Sequence, residues 1–274
     1  MTSFKNKLTV GLVVAATALL AACGGDDGID DRLGISKPAV RLLNTVPVGV
    51  NVDLFQNGAP TQVANAPYKY VSAYFDISKD NNLFQLRVAG TQTVIGQQTI
   101  NGATGHKYSL VATPGSTGAE LVVIDDPYDK GLTSDKARVR GFNAALNAQN
   151  IDMYITAPAI DITSVNPTLA AIAYKSANPA SGSDSIYFDS GTYRLRITAA
   201  GTKNVIFDSG ALTLQNNADW LITTIPVDGI GAVVPNRIKV LVAQSSTGPS
   251  DSQELVTQPL TTAPAAPASA AAAQ

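Results

Sequence analysis

The chain has 274 residues, of which 19 are Lys or Arg and 21 are Asp or Glu, so its formal net charge is −2. It contains no run of basic residues, and this composition does not suit nucleic acid as a partner. A single cysteine and a single histidine exclude an intramolecular disulfide and a zinc site built from Cys and His. We expect no metal and no dissociable cofactor.

The first 22 residues have the pattern of a secretory signal. Lys5 and Lys7 precede an apolar run of about a dozen residues, which is shorter than the roughly twenty that a membrane-spanning helix needs. Leu20, Ala21, Ala22 and Cys23 then resemble the lipobox of bacterial lipoproteins. This resemblance implies that residues 1–22 are removed. It also implies that Cys23 carries a covalent lipid with fatty acyl chains such as palmitate, which anchors the protein to a membrane.

Residues 23–37 are rich in Gly and Asp, which predicts a flexible tether. The four acids Asp26, Asp27, Asp30 and Asp31 could bind calcium loosely, but a solvated spacer is the favoured interpretation. In the lipoproteins that the lipobox resembles, an Asp directly after the lipidated cysteine retains the protein in the inner membrane. Gly24 occupies that position here, so the outer membrane is favoured over the inner membrane as the location in the cell envelope.

The body of the chain contains an internal repeat. Its first two segments recur 99 residues later, and a later segment recurs after 112 residues. The matching segments are Val40–Asn44 with Val139–Asn143, Val52–Phe55 with Ile151–Tyr154, and His106–Leu110 with Ala218–Ile222. Similarity in the same order along the chain predicts two copies of one unit.

Each copy has the periodicity of β-strands. Val50, Val52 and Leu54 alternate with polar residues and lead into Asn57-Gly58, a strong hairpin signal. We therefore predict an all-β fold of two tandem Ig-like or transthyretin-like antiparallel β-sandwich domains. The predicted bounds are 38–126 for the first domain, 127–135 for a linker, 136–245 for the second domain and 246–274 for a disordered tail rich in Ala and Pro. The acidic linker could bind calcium, but a hinge is the favoured interpretation.

Part of this sequence resembles a known family. Ala39–Pro47 and Val52–Gly58 look like the opening of the family catalogued as domain of unknown function 4397, and Leu86–Gly90 resembles its later strand. The resemblance covers residues 39–126 and, more weakly, residues 136–244. It implies envelope-associated β-sandwich domains and brings no activity with it.

Few residues are candidates for chemistry. His106 would have to serve any Ser-His-Asp triad, yet the chain contains no Gly-x-Ser-x-Gly elbow, and a solvated histidine at a strand end is favoured. Asp53 and Asp152 stand at equivalent strand positions and could form a glycosidase pair, but a structural role is favoured. Arg41 and Arg140 are also equivalent, and we expect each to pair with a carboxylate. We expect three aromatic residues to belong to the core rather than to a sugar-binding platform: Tyr108, Tyr193 and Trp220.

The sequence therefore predicts a lipid-anchored protein of the cell envelope without catalytic residues. It would bind a partner protein or a polysaccharide, or act as a spacer. The alternative is a hydrolase that acts on a polysaccharide or peptide from loops at the domain junction. A binding surface would lie on the loops at one end of a sandwich or in the cleft between the domains.

Overall fold

The computed structural model describes residues 29–47, 50–116, 118–244 and 252–258. The predicted signal, the recognition residues Leu20, Ala21 and Ala22, the lipidation site Cys23 and the end of the tail lie outside the described residues, so what concerns them stays a prediction. Within the described part, no helix is long and apolar enough to cross a membrane.

Over these described residues the fold is almost entirely β, as the sequence predicts, and the strands form four sheets. One helical turn, α1 (Ile29–Arg32), precedes the strands of the first two sheets. These are β1 (Ala39–Asn44), β2 (Val52–Gln56), β3 (Ala59–Pro60), β4 (Phe75–Asp76), β5 (Asn81–Val88), β6 (Val94–Asn101), β7 (Lys107–Gly115) and β8 (Gly118–Asp126). The order β4-β1-β7-β8 makes the first inner sheet, and the order β3-β2-β5-β6 makes the first outer sheet.

The remaining strands form a second pair of sheets. They are β9 (Ala137–Asn143), β10 (Ile151–Thr156), β11 (Leu169–Ile172), β12 (Ala177–Asn178), β13 (Ile186–Phe188), β14 (Gly191–Ala199), β15 (Val205–Leu214), β16 (Asp219–Pro226), β17 (Ile238–Gln244) and β18 (Ser252–Leu255). The second inner sheet has the order β12-β9-β16-β17-β18, with β13 also paired to β9, and the second outer sheet has the order β11-β10-β14-β15. Two short 3-10 helices, Ile162–Ser164 and Gly229–Val233, lie in loops.

Each inner sheet contains one parallel pair, whereas the sequence predicted antiparallel sheets. β1 pairs with β7 so that Ala39 lies opposite Lys107, and β9 pairs with β16 so that Arg138 lies opposite Asp219. Between the two paired strands the chain contributes strands to the outer sheet. It then re-enters the inner sheet in the same direction as the first paired strand. The two registers are related by the same offsets as the sequence repeat, which makes Lys107 and Asp219 equivalent positions.

The Asn57-Gly58 hairpin is confirmed. β2 and β3 pair through Gln56 and Ala59 around a two-residue loop. Asn57 and Gly58 have φ values of 51° and 82°, the left-handed conformation that a tight hairpin requires and that Asn and Gly tolerate best. This turn ends the alternation of β2, whose Val52 and Leu54 are buried.

The two inner sheets pack face to face and bury a third apolar cluster. Within each pair, the inner and outer sheets enclose a core of their own. The third cluster joins residues of both inner sheets, among them Leu43, Val111, Phe142, Leu221 and Leu241. Every residue of β1, β9 and β16 is consequently buried, because both faces of these strands are covered.

Three segments differ from the sequence prediction. Residues 29–36 of the predicted tether are docked on the first inner sheet and its neighbouring loops, where Asp31 lies 3.2 Å from Lys107 Nζ. In the predicted hinge, Tyr128 and Lys130 are buried. In the predicted tail, β18 pairs with β17 and Leu255 joins the second core. Contacts with the four sheets hold all three segments in place, and local composition does not reveal such contacts.

Candidate functional site

The residue that organises the junction between the two pairs is Arg138, at the start of β9. Its side chain is 0% exposed, and its guanidinium bonds carboxylates from three different places in the chain. Nη2 donates to Asp126 Oδ1 at 2.6 Å and to Asp184, and Nη1 donates to Asp219 Oδ1 at 3.4 Å. The ring of Tyr128 covers the guanidinium carbon at 4.2 Å. A buried charge is tolerated only when it is paired in this way.

Two further arginines flank this cluster, and they only partly match their prediction. Arg140 donates to the carbonyls of Pro179 and Ala180 at 2.6 and 2.8 Å and lies 3.7 Å from Asp126. Arg41 donates from Nε to Ser109 Oγ at 2.9 Å and from Nη1 to the Gln244 carbonyl at 3.1 Å. Carboxylate pairing therefore holds for Arg140, whereas Arg41 uses a hydroxyl and a carbonyl. Both are buried, so carbonyls replace the water that an exposed arginine would bind.

A small cavity lies inside this cluster. Its volume is about 10 Å³, and its lining includes Arg41, Asp126, Arg140, Asp219 and Trp220. This volume holds about one water molecule. The indole Nε1 of Trp220 and Nε of Arg140 are buried donors without a hydrogen-bond partner in the protein. A water molecule could accept from them, whereas the cavity is too small for a substrate.

The cluster drives the pKa values of two carboxyls apart. Burial opposes ionisation of Asp126, but Arg138 and Arg140 outweigh it and hold the pKa of Asp126 below its usual value. Burial of Asp219 is more complete and raises its pKa, even though Arg138 and Arg41 act in the opposite direction. The pKa of Arg138 is raised, since its three carboxylates outweigh the effect of its burial. Ionised Asp126 and Arg138 therefore form the charged centre of the junction.

His106 has a carboxylate partner and is half-buried rather than solvated. Its Nδ1 lies 2.7 Å from Asp125 Oδ1, and its ring stacks on Tyr108 at 6.1 Å between centroids. Ser181 Oγ accepts from the Asp125 backbone nitrogen and donates to the Val123 carbonyl. In a Ser-His-Asp triad the serine hydroxyl bonds the imidazole. The hydroxyl of Ser181, the serine beside Asp125, bonds the backbone instead.

Asp53 and Asp152 have the structural role that the sequence favoured, and they have it in the same way. Asp53 accepts from the backbone nitrogens of Asn65 at 2.7 Å and Gly90 at 2.9 Å. Asp152 accepts from the backbone nitrogens of two residues at corresponding places, Ala171 at 2.7 Å and Gly201 at 2.8 Å. Asp53 fixes two loops beside its strand, and Asp152 fixes β11 and the loop after β14, so each acid holds neighbouring backbone in its own pair of sheets.

The predicted aromatic core residues lie where the sequence placed them. Tyr108 and Trp220 are buried in the first and second cores, and Tyr193 packs against the second core. No group of three His, Cys, Asp or Glu side chains is arranged to hold a metal ion among the residues that the structure describes. The acids beside the predicted linker, Asp125 and Asp126, are bound to His106 and Arg138.

The sequence could have revealed part of this cluster, but its residues were not recognised together. Arg138, Arg140 and Asp219 are charged residues in strands that are mostly apolar. Asp184 and Tyr128 come from loops, and no periodic pattern places them beside Arg138. A charged residue within an apolar strand is the one signal that was available.

Two pairs of adjacent Tyr and Lys residues cross the junction at corresponding places. Lys69 donates its backbone nitrogen to the Asn44 carbonyl, and its Nζ lies 2.9 Å from Asp228 and 2.7 Å from Glu254. Lys175 donates its backbone nitrogen to the Asn143 carbonyl, and its Nζ bonds Glu120. Each lysine thus reaches from one pair of sheets to the other, and each lies beside a tyrosine: Tyr68 and Tyr174.

Comparison with known proteins finds one family whose model matches part of the chain. Residues 38–154 match the family described as "Domain of unknown function (DUF4397)", which confirms the resemblance seen in the sequence over that range. No curated protein matches the chain. Among solved structures, a chain described under "Alpha-glucan recognition by family 41 carbohydrate-binding modules from streptococcal virulence factors" is 10% identical. The match covers 78% of this chain and 99% of that chain, with a TM-score of 0.22.

Proposed function

We propose that this protein is a lipid-anchored, non-catalytic component of the bacterial cell envelope that presents a binding loop away from its membrane. The anchor is the lipid on Cys23, and the outer membrane is its favoured location because Gly24 follows the cysteine. The two pairs of sheets act as one rigid body between anchor and loop, and the partner is an envelope protein or a polysaccharide.

The observation that carries this proposal is the placement of two segments at opposite ends of β16. Arg32 of α1 donates to Asn217 Oδ1 at 3.0 Å, just before β16 begins at Asp219. The loop that contains Gly229–Val233 follows the other end of the strand, which is about 25 Å away for eight residues. We call the first the anchor end and the second the far end.

The far-end loop exposes apolar side chains. Ile230 is 93% exposed and Val233 is 77% exposed, and Leu146 of the neighbouring β9–β10 loop is also exposed. Asn147 Nδ2 donates to the carbonyls of Val234 and Arg237, which holds the two loops together. Neighbouring exposed apolar residues on loops fixed by a rigid scaffold are typical of binding sites.

The alternative function, a hydrolase at the junction, has less support. Two carboxyls with pKa values driven apart are typical of an acid-base pair, and Asp126 and Asp219 fit that description. Their cavity, however, has a volume of about 10 Å³, which admits a water molecule but no sugar or peptide.

Two experiments test the proposal. Mass spectrometry of the membrane fraction should find an acylated amino terminus at Cys23, and the Cys23→Ala variant should remain unprocessed. A photo-reactive residue in place of Ile230 should cross-link an envelope component in living cells, whereas the same residue in place of Val94, which is exposed on β6, should not. A mature protein that is unlipidated and soluble would contradict the anchor. Equal cross-linking from both positions would contradict the far-end loop as the binding surface.

A further inference from the structure

The anchor end carries its own group of exposed apolar side chains. Ile29, Leu33 and Ile35 are 53%, 48% and 60% exposed, and Leu132 is 54% exposed. We call these four residues the anchor-end patch. Three of them lie in one seven-residue segment, and the fourth is brought to it because Arg32 Nη1 donates to the Leu132 carbonyl at 3.0 Å.

The anchor-end patch is held in place by polar contacts on the protein side. Arg32 also donates to the Ser134 carbonyl and to Asn217 Oδ1, both at 3.0 Å, and Asp31 pairs with the buried Lys107. Gly105 donates its backbone nitrogen to the Ser36 carbonyl at 2.9 Å. The segment therefore turns Asp31 and Arg32 toward the protein and its apolar side chains outward, which is unusual on a protein surface.

The patch lies close in sequence to the predicted lipid. Six residue steps separate Cys23 from Ile29, and six steps span at most about 20 Å even when fully extended. A lipid on Cys23 would therefore keep Ile29, the first residue of the patch, within about 20 Å of the membrane surface. An apolar surface confined to that distance has the bilayer itself as its nearest apolar neighbour.

We propose that the anchor-end patch is a membrane-contact face, which enters the interfacial zone of the bilayer that holds the lipidated Cys23. This inference rests on the lipid anchor of the proposed function. Asp30 lies within the segment, and Asp26 and Asp27 precede it in the sequence. These acids would be repelled by anionic headgroups, so the contact suits a zwitterionic surface. With the patch on the membrane, β16 points away from the bilayer and the loop that contains Ile230 is presented outward.

The test uses the mature lipidated protein in phosphatidylcholine vesicles whose acyl chains carry bromine, which quenches tryptophan at short range. The native Trp220 is buried in the second core and supplies a constant background. We expect the tryptophan of Leu33→Trp to lose about half of its added emission, since apolar side chains of interfacial segments enter the boundary by roughly 5–10 Å. The matched control is Ile230→Trp at the far end, which should keep its emission.

Flotation of the vesicles separates this inference from the proposed function. Protein that floats while neither new tryptophan is quenched retains the anchor and overturns the membrane-contact face. Equal quenching of both tryptophans would mean that the protein lies along the membrane, which also overturns the selective contact. Protein that does not float lacks the anchor, and the proposed function and this inference would then fail together.

Discussion

The Arg138 side chain has three carboxylate partners from different parts of the chain. Asp126 belongs to β8, Asp184 to the loop that precedes β13, and Asp219 to β16. A buried ion loses its hydration, and only close opposite charges with good hydrogen bonds restore that loss. Removal of the guanidinium leaves carboxylates in a space that water enters poorly. The ions are therefore coupled, and the loss of one destabilises the others.

Replacement of Arg138 by Met is expected to lower the free energy of unfolding by about 3–5 kcal/mol, because the variant keeps the buried carboxylates without their cation. Chemical denaturation followed by circular dichroism measures this difference. The control is Lys136→Met, which removes an exposed lysine that pairs with the exposed Asp189 and should cost less than about 1 kcal/mol. A small effect of Arg138→Met would show that the cluster does not hold the junction.

The pKa of Asp126 predicts how the stability of the protein changes with pH. Because that pKa is lowered by folding, ionised Asp126 stabilises the fold above the unfolded value of 3.8, and this contribution is lost as the pH falls through the lower folded value. The stability difference between the wild type and Asp126→Asn should therefore be largest near neutral pH and should shrink below pH 3.8.

Asp219 should behave in the opposite way. Its pKa is raised by burial, so its contribution is present below the unfolded value and is lost as the pH rises through the folded value. The stability of Asp219→Asn relative to the wild type should therefore improve with rising pH. Denaturation at a series of pH values measures both variants, and the same trend for Asp126→Asn and Asp219→Asn would contradict the opposite shifts.

At the scale of elements, β18 shows why the end of the fold was misjudged from the sequence. Ser252, Gln253 and Glu254 are polar, and only Leu255 is apolar, so the segment has no strand periodicity of its own. It forms a strand because β17 offers an edge and because Glu254 pairs with Lys239 and Lys69. Lys239 lies on the preceding strand, and Lys69 is remote in sequence, so the local pattern of the segment shows neither contact.

Replacement of Leu255 by Ala should lower the free energy of unfolding by about 2–4 kcal/mol, since the side chain is buried in the second core. The neighbouring Val256→Ala should cost little, because Val256 is 51% exposed. Thermal or chemical unfolding of the two variants gives the comparison. Equal stability of the two variants would show that the segment does not contribute to the fold and belongs to a disordered tail.

Strands with one exposed face could be predicted, and strands buried on both faces could be predicted only in part. β2 alternates, and the Asn57-Gly58 turn marks its end, so its position and its hairpin followed from local pattern. β1, β9 and β16 were recognised through the repeat, but their parallel pairing and the packing between the inner sheets depend on contacts across a hundred residues. Local sequence carries no record of such contacts.

At the scale of the whole molecule, the third apolar cluster joins the two pairs of sheets into one body. Leu43 is fully buried in that cluster. A charged side chain at this position could reach water only if the two inner sheets separated, because an unpaired buried charge is costly. We expect the wild type to unfold in a single calorimetric transition and Leu43→Glu to unfold in two. Val94→Glu on β6 is the exposed control, and a single transition in Leu43→Glu would show that this cluster is not needed for coupling.

The parallel registers have a consequence for assembly. The positions opposite Ala39 and Arg138 carry opposite charges, Lys107 and Asp219, and the two lie close enough for the lysine to affect the carboxyl electrostatically. If the first inner sheet met another copy of itself, lysine would face lysine, and if the second met itself, aspartate would face aspartate. Like charges brought together in a buried contact are costly. Each half is thus complementary in charge to the other half, and this disfavours aggregates in which two copies of the same half meet.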